Sequence, residues 1–182
     1  MVEPKIQEKR WTIDLEKKIQ ERHFADQKKY NNRYSFDSKS KKEIFVIDTP
    51  PPYPSGRWHI GAVAQYSMID VIARSQRLIG KEVYFPWGVD RNGINIEFTV
   101  EKKTGRKMKT YERAEFLEIC KNEIEKYTQE MRNIAKRVGL SCSYDREYLT
   151  DSPEYRTVTQ SIFIDLFKKL MKIILDLVIL EL

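Results

Sequence analysis

The sequence predicts an α/β fold, on three observations. A short apolar run at residues 44–47, a long helix-periodic segment closed by Gly80, and a β-forming run at Val83, Tyr84 and Phe85 spell strand, loop, helix, strand over residues 43–86. Such a unit is normally a right-handed crossover between parallel strands. Two further segments with helical periodicity follow, at residues 110–138 and 152–169.

In chain order, Trp11, Leu15, Ile19 and Phe24 recur near helical spacing among many charges, which predicts one amphipathic helix over residues 11–30 lying on a larger body. Residues 31–42 are polar and turn-rich and read as a linker. Ile44, Phe45, Val46 and Ile47 then make a buried strand. Residues 49–58 must be a loop, because Pro50, Pro51, Pro52 and Pro54 deny helix geometry and ladder donors, and Gly56 follows. A helix starting near His59 shows Ile60, Ala64, Met68, Val71 and Leu78 on one face, the expected core face. Pro86 is expected to end the next strand after Phe85. Phe116, Ile119, Ile124, Tyr127, Met131 and Ile134 mark the following helix, with Gly139 as its stop. After a stretch read as irregular, Asp151 or Ser152 caps a last helix with Pro153 in its first turn. Residues 170–182 lack Gly, Pro, Asn and Ser, and read as a single amphipathic or buried helix too charged and short for a bilayer span.

With 182 residues the chain has room for one ordinary core plus an appendage. Its net charge of +6 favours an anionic partner without identifying one. Residues 1–42 hold 12 Lys and Arg against 7 Asp and Glu, a net +5 that leaves +1 for the remainder. The lysines there alternate with glutamates, as on a solvated helix face, and carry no site assignment. Cys120 and Cys142 are too far apart for a ligand pair and have no further cysteine to complete a zinc site, so two reduced structural thiols are expected, and no metal ligands are assigned. The polar, charged residues 1–10 suggest neither a secretory signal nor a membrane anchor, which predicts a cytoplasmic protein without a membrane partner.

Chemistry is expected where a parallel sheet presents its carboxyl ends, beside the amino-termini of the following helices. Two loops qualify: the one between Asp48 and His59, and the one after the strand ending at Phe85. In the first, Gly56 and Gly61 allow close approach of a ligand, the helix amino-terminus offers N–H groups to phosphate oxygens, and His59 adds a side-chain donor. Neither G-x-x-x-x-G-K-[ST] nor G-x-G-x-x-G occurs. Read alone, His59 is a solvated cap and Asp90 the cap of a helix beginning near Gly93. Trp58 and Trp87 read as core, and Arg91 and Asn92 can meet either nucleotide or water.

Residues 50–61, Pro-Pro-Pro-Tyr-Pro-Ser-Gly-Arg-Trp-His-Ile-Gly, resemble the ATP-binding signature of class I aminoacyl-tRNA synthetases, in which a proline-rich loop leads into His-Ile-Gly-His. Gly88, Asp90 and Gly93 match that family's Gly-x-Asp-x-x-Gly element. Within the class the pattern is similar to the valine, isoleucine and leucine branch and leans toward valine, while Tyr53 to Gly56 also resembles leucine enzymes. The resemblance runs from about Lys5 to about Lys169. It implies the first half of a Rossmann-like nucleotide-binding domain, with ATP and its Mg2+, an aliphatic amino acid such as valine, and tRNA as partners. By motif position it implies Ser55, Gly56, His59 and Gly61 at ATP, His59 as the catalytic donor to phosphate, Pro51 and Pro52 walling the amino-acid pocket, and Asp90 on the substrate ammonium.

Three departures stand beside the match. Ala62 replaces the second histidine, and loss of one preorganised donor typically costs about 2.7–4 kcal/mol in the barrier. Tyr53 stands where many valine enzymes have asparagine, and the Lys-Met-Ser-Lys-Ser signature is absent, Lys107, Met108 and Lys109 reading as a surface loop. The organisation expected is a helical appendage and linker over residues 1–42, half of a catalytic domain over 43–169 and a non-native tail over 170–182. On this reading the chain is an N-terminal fragment, inactive alone. The alternatives are an isoleucine or leucine enzyme, or a nucleotide- or tRNA-binding half that needs a separately encoded partner. An unrelated nucleotidyltransferase is the third reading.

Overall fold

The computed structural model describes residues 10–180, so the readings made on residues 1–9 and 181–182 lie outside the described residues. Thr12 Oγ1 accepts the Leu15 N–H and starts helix α1 (Ile13–Phe24). The predicted single front helix breaks, because the Asp26 carboxylate takes the Lys29 N–H and opens a second, α2 (Gln27–Asn32). The predicted linker is docked: the Tyr34 ring lies under the guanidinium groups of Arg74 and Arg77, and its carbonyl accepts from Ser143 Oγ.

Strand β1 (Ile44–Val46) leads through the proline loop into α3 (Ile60–Leu78) and back to β2 (Glu82–Tyr84), which pairs with β1 in parallel, Phe45 opposite Val83. The strand does not stop at Phe85. Strand β3 (Pro86–Val89) continues it and pairs in parallel with β4 (Ser143–Leu149), in the stretch read as irregular. Pro86 is tolerated because the ladder bond there uses the Phe85 carbonyl, which accepts from Ser143 N–H. Residues 82–89 therefore form a central path with β1 beside their first part and β4 beside their second. The register is irregular between Pro86 opposite Ser143 and Gly88 opposite Tyr148.

Helix α4 (Asn95–Thr104) begins close to Gly93, where a helix was considered for Asp90 to cap; a 3₁₀ turn (Met108–Thr110) precedes α5 (Arg113–Val138). Gly139, at φ 83°, ends α5 in the left-handed conformation. Ser152, not Asp151, is the cap of α6 (Pro153–Leu180): its Oγ accepts the Tyr155 N–H. That helix passes position 170 without a break. Among the described residues no helix is long and apolar enough to cross a membrane.

The main core gathers Val83, Phe85, Trp87 and Val89 from the central path with Tyr66, Ala73, Met131, Ala135, Leu140 and Cys142. A satellite of Val100, Phe116 and Cys120 joins α4 to α5. Both cysteines are free and buried, and burial pushes both thiols up, which keeps them protonated and unreactive.

Two expectations about burial are corrected. The expected core face of α3 is bare: Ile60, Met68, Val71 and Leu78 are 61–87% exposed, and Tyr66, Asp70 and Ala73 are buried instead. The buried polar side chains of Tyr66 and Asp70 have partners. Tyr66 Oη donates to the Pro50 carbonyl, while Asp70 accepts from Ser141 N and Oγ and pairs with Arg74. Strand β1 is likewise half bare, with Ile44 and Val46 at 50% and 56% exposure.

Candidate nucleotide and amino-acid site

The proline loop is stiff by composition and fixed at both ends. Tyr66 Oη holds the Pro50 carbonyl at 2.8 Å, and Thr99 Oγ1 donates to the Ser55 carbonyl at 3.2 Å from α4. Burial raises the Tyr66 phenol to about 12, so it stays a donor at neutral pH. Trp58 stacks on Tyr66 at 4.9 Å and meets Trp87 edge-on at 5.7 Å, tying the loop to the core as expected of both tryptophans.

His59 is the N-cap of α3. Its Nδ1 accepts the Gly61 N–H at 3.1 Å, so in the neutral ring the proton sits on Nε2, the free donor. The amides of Ala62 and Val63 donate to the His59 carbonyl. Three amides of the helix start expected to face a ligand are therefore satisfied internally, and the outward donor is the exposed imidazole. Gly61 has a local reason: a Cβ there would stand 2.9 Å from His59 Cε1, so only glycine lets the ring fold back over its own helix.

Pro52, Tyr53, Ser55, Gly56, His59 and Ala62 line an open cleft of about 320 Å3. Arg57 and Gln65 border the same cleft, and sequence reading had assigned them nothing. Arg57 carries the one cationic side chain among its lining residues, and Gln65 an amide one turn beyond Ala62. Gly61 and Pro51 are not among the lining residues.

The second loop begins after Val89. The Asp90 N–H donates to the Pro52 carbonyl at 2.9 Å, which binds the two loops together. Asp90 borders a narrow crevice of about 10 Å3 that shares Tyr53 and Ser55 with the cleft. Asp90 does not cap α4, whose first turn has no side-chain cap. Its Oδ1 instead accepts from Asn92 N–H at 3.1 Å and from Thr150 Oγ1 at 2.8 Å. Arg91 and Asn92, left open between nucleotide and water, both have protein partners: Arg91 pairs with Glu125 at 2.9 Å and Asp151 at 3.1 Å, and Asn92 Nδ2 donates to Thr150 O and Oγ1.

Behind the loop, Tyr148 lies on Gly88 in register across β3 and β4 and stacks on Tyr155 at 6.1 Å. A Cβ on Gly88 would collide with the Tyr148 ring. Burial, with the nearby Tyr155, Asp48, Tyr84 and Asp90, raises the Tyr148 phenol.

Residues 19–173 match the family described as tRNA synthetases class I (I, L, M and V). The chain belongs to the class I tRNA synthetase family. It is 43% identical over 171 residues to the valine--tRNA ligase of Aeropyrum pernix, covering 91% of this chain and 20% of that protein. The valine--tRNA ligase of Thermoplasma acidophilum is 42% identical over 136 residues, 75% of this chain and 17% of its own length. A solved LeuRS of Agrobacterium radiobacter, in a ternary complex with tRNA and LeuAMS, superposes with a TM-score of 0.64 and 31% identity, covering 80% of this chain and 17% of that one. The chain thus spans about a fifth of the length of the relatives it matches.

In class I synthetase terms, both signature loops recognised in the sequence stand at the carboxyl end of the central path, joined by a direct backbone bond. Among the described residues no cluster of three or more His, Cys, Asp or Glu could hold a metal ion. Sequence reading missed β4 and with it Thr150 and Tyr148. The signal available was the alternation Tyr144, Arg146, Tyr148, Thr150, obscured by the charges between them.

Proposed function

We propose that this chain is the ATP- and valine-binding front part of a valine--tRNA ligase of the cytoplasm. The observation that carries the reading is the Asp90 N–H bond to the Pro52 carbonyl, which sets a carboxylate-bearing loop against the cleft containing His59. Valine rather than isoleucine or leucine is favoured by the 37–43% identity to valine--tRNA ligases.

On this reading ATP lies along the cleft beside Ser55 and Gly56, with His59 Nε2–H and Arg57 facing its phosphates. Gly61 serves ATP indirectly, by leaving room for the imidazole. The amino acid places its ammonium on Asp90 and its side chain against Pro51 and Pro52. Its carboxylate then attacks the α-phosphorus and pyrophosphate leaves, giving the aminoacyl adenylate; a ribose hydroxyl of the terminal adenosine of tRNA attacks the aminoacyl carbonyl and AMP leaves. Charge accumulates on phosphate oxygens in the first step, where fixed donors stabilise it and positioning supplies much of the remainder. ATP brings its Mg2+ as part of the substrate.

The test is pyrophosphate exchange into ATP with the purified chain and valine, isoleucine or leucine, alongside equilibrium binding of each ligand. Exchange with valine establishes activation by this chain; exchange confined to leucine reassigns the substrate. Valine and ATP binding without exchange, abolished by Asp90→Asn and His59→Ala respectively, defines a binding half that works with the rest of the enzyme. Folded protein that binds neither ligand overturns the proposal.

A further inference from the structure

We infer that Thr150 is a positioning residue for the amino-acid substrate, holding the Asp90 carboxylate in the orientation that receives the ammonium group; this rests on the reading of Asp90 given above. Three observations support it. First, Thr150 is 6% exposed and its hydroxyl is saturated: it donates to Asp90 Oδ1 at 2.8 Å and accepts from Arg91 N–H at 2.9 Å and Asn92 Nδ2 at 3.0 Å. With one donor hydrogen and two lone pairs all engaged, the hydroxyl has one favoured orientation, and it directs its hydrogen at Asp90 Oδ1, which also accepts the Asn92 N–H.

Second, Asp90 is in no ion pair among the described residues, although Arg91 is its neighbour. The Arg91 guanidinium turns to Glu125 and Asp151 instead. A half-buried carboxylate fixed by neutral donors on one oxygen, with its adjacent cation drawn away, is arranged to take an external cation.

Third, the contact is built into the sheet. Gly88 faces Tyr148 and Val89 faces Leu149, so the next pair in register is Asp90 with Thr150, and the Thr150 N–H donates to the Val89 carbonyl at 3.2 Å. Strand β4 thus acts as the fixed template on which the Asp90 loop is set.

The experiment is calorimetric titration of the full chain with valine and, separately, with ATP, for wild type, Thr150→Val, Thr150→Ser and Asp90→Asn. Thr150→Val keeps shape and removes the hydroxyl; Thr150→Ala removes it without branching and gives the same reading if the valine variant does not fold. Loss of the hydroxyl is expected to weaken valine about tenfold, the effect of losing the alignment of one charge-assisted contact, with ATP affinity unchanged. Thr150→Ser is expected to restore wild-type valine affinity. Asp90→Asn abolishing valine binding while Thr150→Val and Thr150→Ala bind as wild type overturns this inference alone, as does an equal loss of ATP and valine in both. Valine binding that is absent in folded wild type, or indifferent to Asp90→Asn, overturns the reading of Asp90 and this inference with it.

Discussion

The loop of residues 49–59 is anchored largely by the helix it feeds, whereas the loop of residues 90–93 is anchored by Glu125 and Thr150, 34 to 60 residues further along. In the first, His59 caps α3 through Gly61 two residues on, and Tyr66 on the same helix holds Pro50. In the second, the carboxylate, the guanidinium and the amide are each fixed by α5 or by Thr150 and Asp151, in the turn between β4 and α6. Local anchoring makes a loop recognisable as a motif. Distant anchoring makes it dependent on the whole fold, so damage to β4 is expected to disturb Asp90 and leave His59 in place.

The largest test of that contrast is Gly88→Ala. The new Cβ would occupy the space of the Tyr148 ring, and overpacking of this kind costs about 1–3 kcal/mol. Urea unfolding is expected to show a loss at the upper end of that range, with most of it recovered in the Gly88→Ala, Tyr148→Ala double variant. Recovery of nothing would mean that β3 and β4 are not held by this pair.

Next in size is Arg91→Met. It removes the charge-assisted bond to Glu125 and the ion pair with Asp151, and a loss of about 1.5–3 kcal/mol is expected because the Arg91 side chain is 12% exposed and Asp151 partly buried. Valine affinity is expected to fall as well, with ATP affinity spared. Equal effects on both ligands, read by calorimetry, would erase the distinction between the loops.

His59→Ala should cost less stability, about 0.5–2 kcal/mol for a lost cap, while removing the Nε2 donor from the cleft. Calorimetric ATP binding should weaken and valine binding stay as it was. Smallest is Tyr66→Phe, a loss of about 0.5–1.5 kcal/mol from one hydrogen bond at neutral pH. The sign with pH follows from the raised phenol. Below pH 10 folded and unfolded chains both hold the proton and the stabilisation is full, and it is lost as pH rises from about 10 toward about 12. Stability against pH in that window should fall less steeply in the phenylalanine variant.

Most of the first loop was legible because its chemistry is short-range. Four prolines within residues 50–54 and the His59–Gly61 pair state their conformation in a dozen residues, and they placed Pro52, Ser55, Gly56 and His59 on one cleft. The second loop was legible as a motif and not as a geometry: Asp90 was picked out, and Thr150, which orients it, was not. Strand β4 carries charges at Asp145, Arg146 and Glu147, so its period-two pattern is faint, and its strand character comes from the ladder it makes with β3.

By itself the sequence determined where helices stop and where the chain must turn: Gly80 and Gly139, at φ 93° and 83°, are read from the residue type because only local sterics are involved. It also determined the class of the fold, since strand, proline loop, helix and strand follow from composition and periodicity. Which side of α3 faces inward was decided by tertiary structure. The apolar stripe at Ile60, Met68, Val71 and Leu78 lost that place to a face carrying Asp70, whose carboxylate is satisfied by Ser141, 71 residues away. The same holds for Asp90 and Thr150, because a buried polar group is tolerated or refused according to partners that the chain supplies only after it has folded.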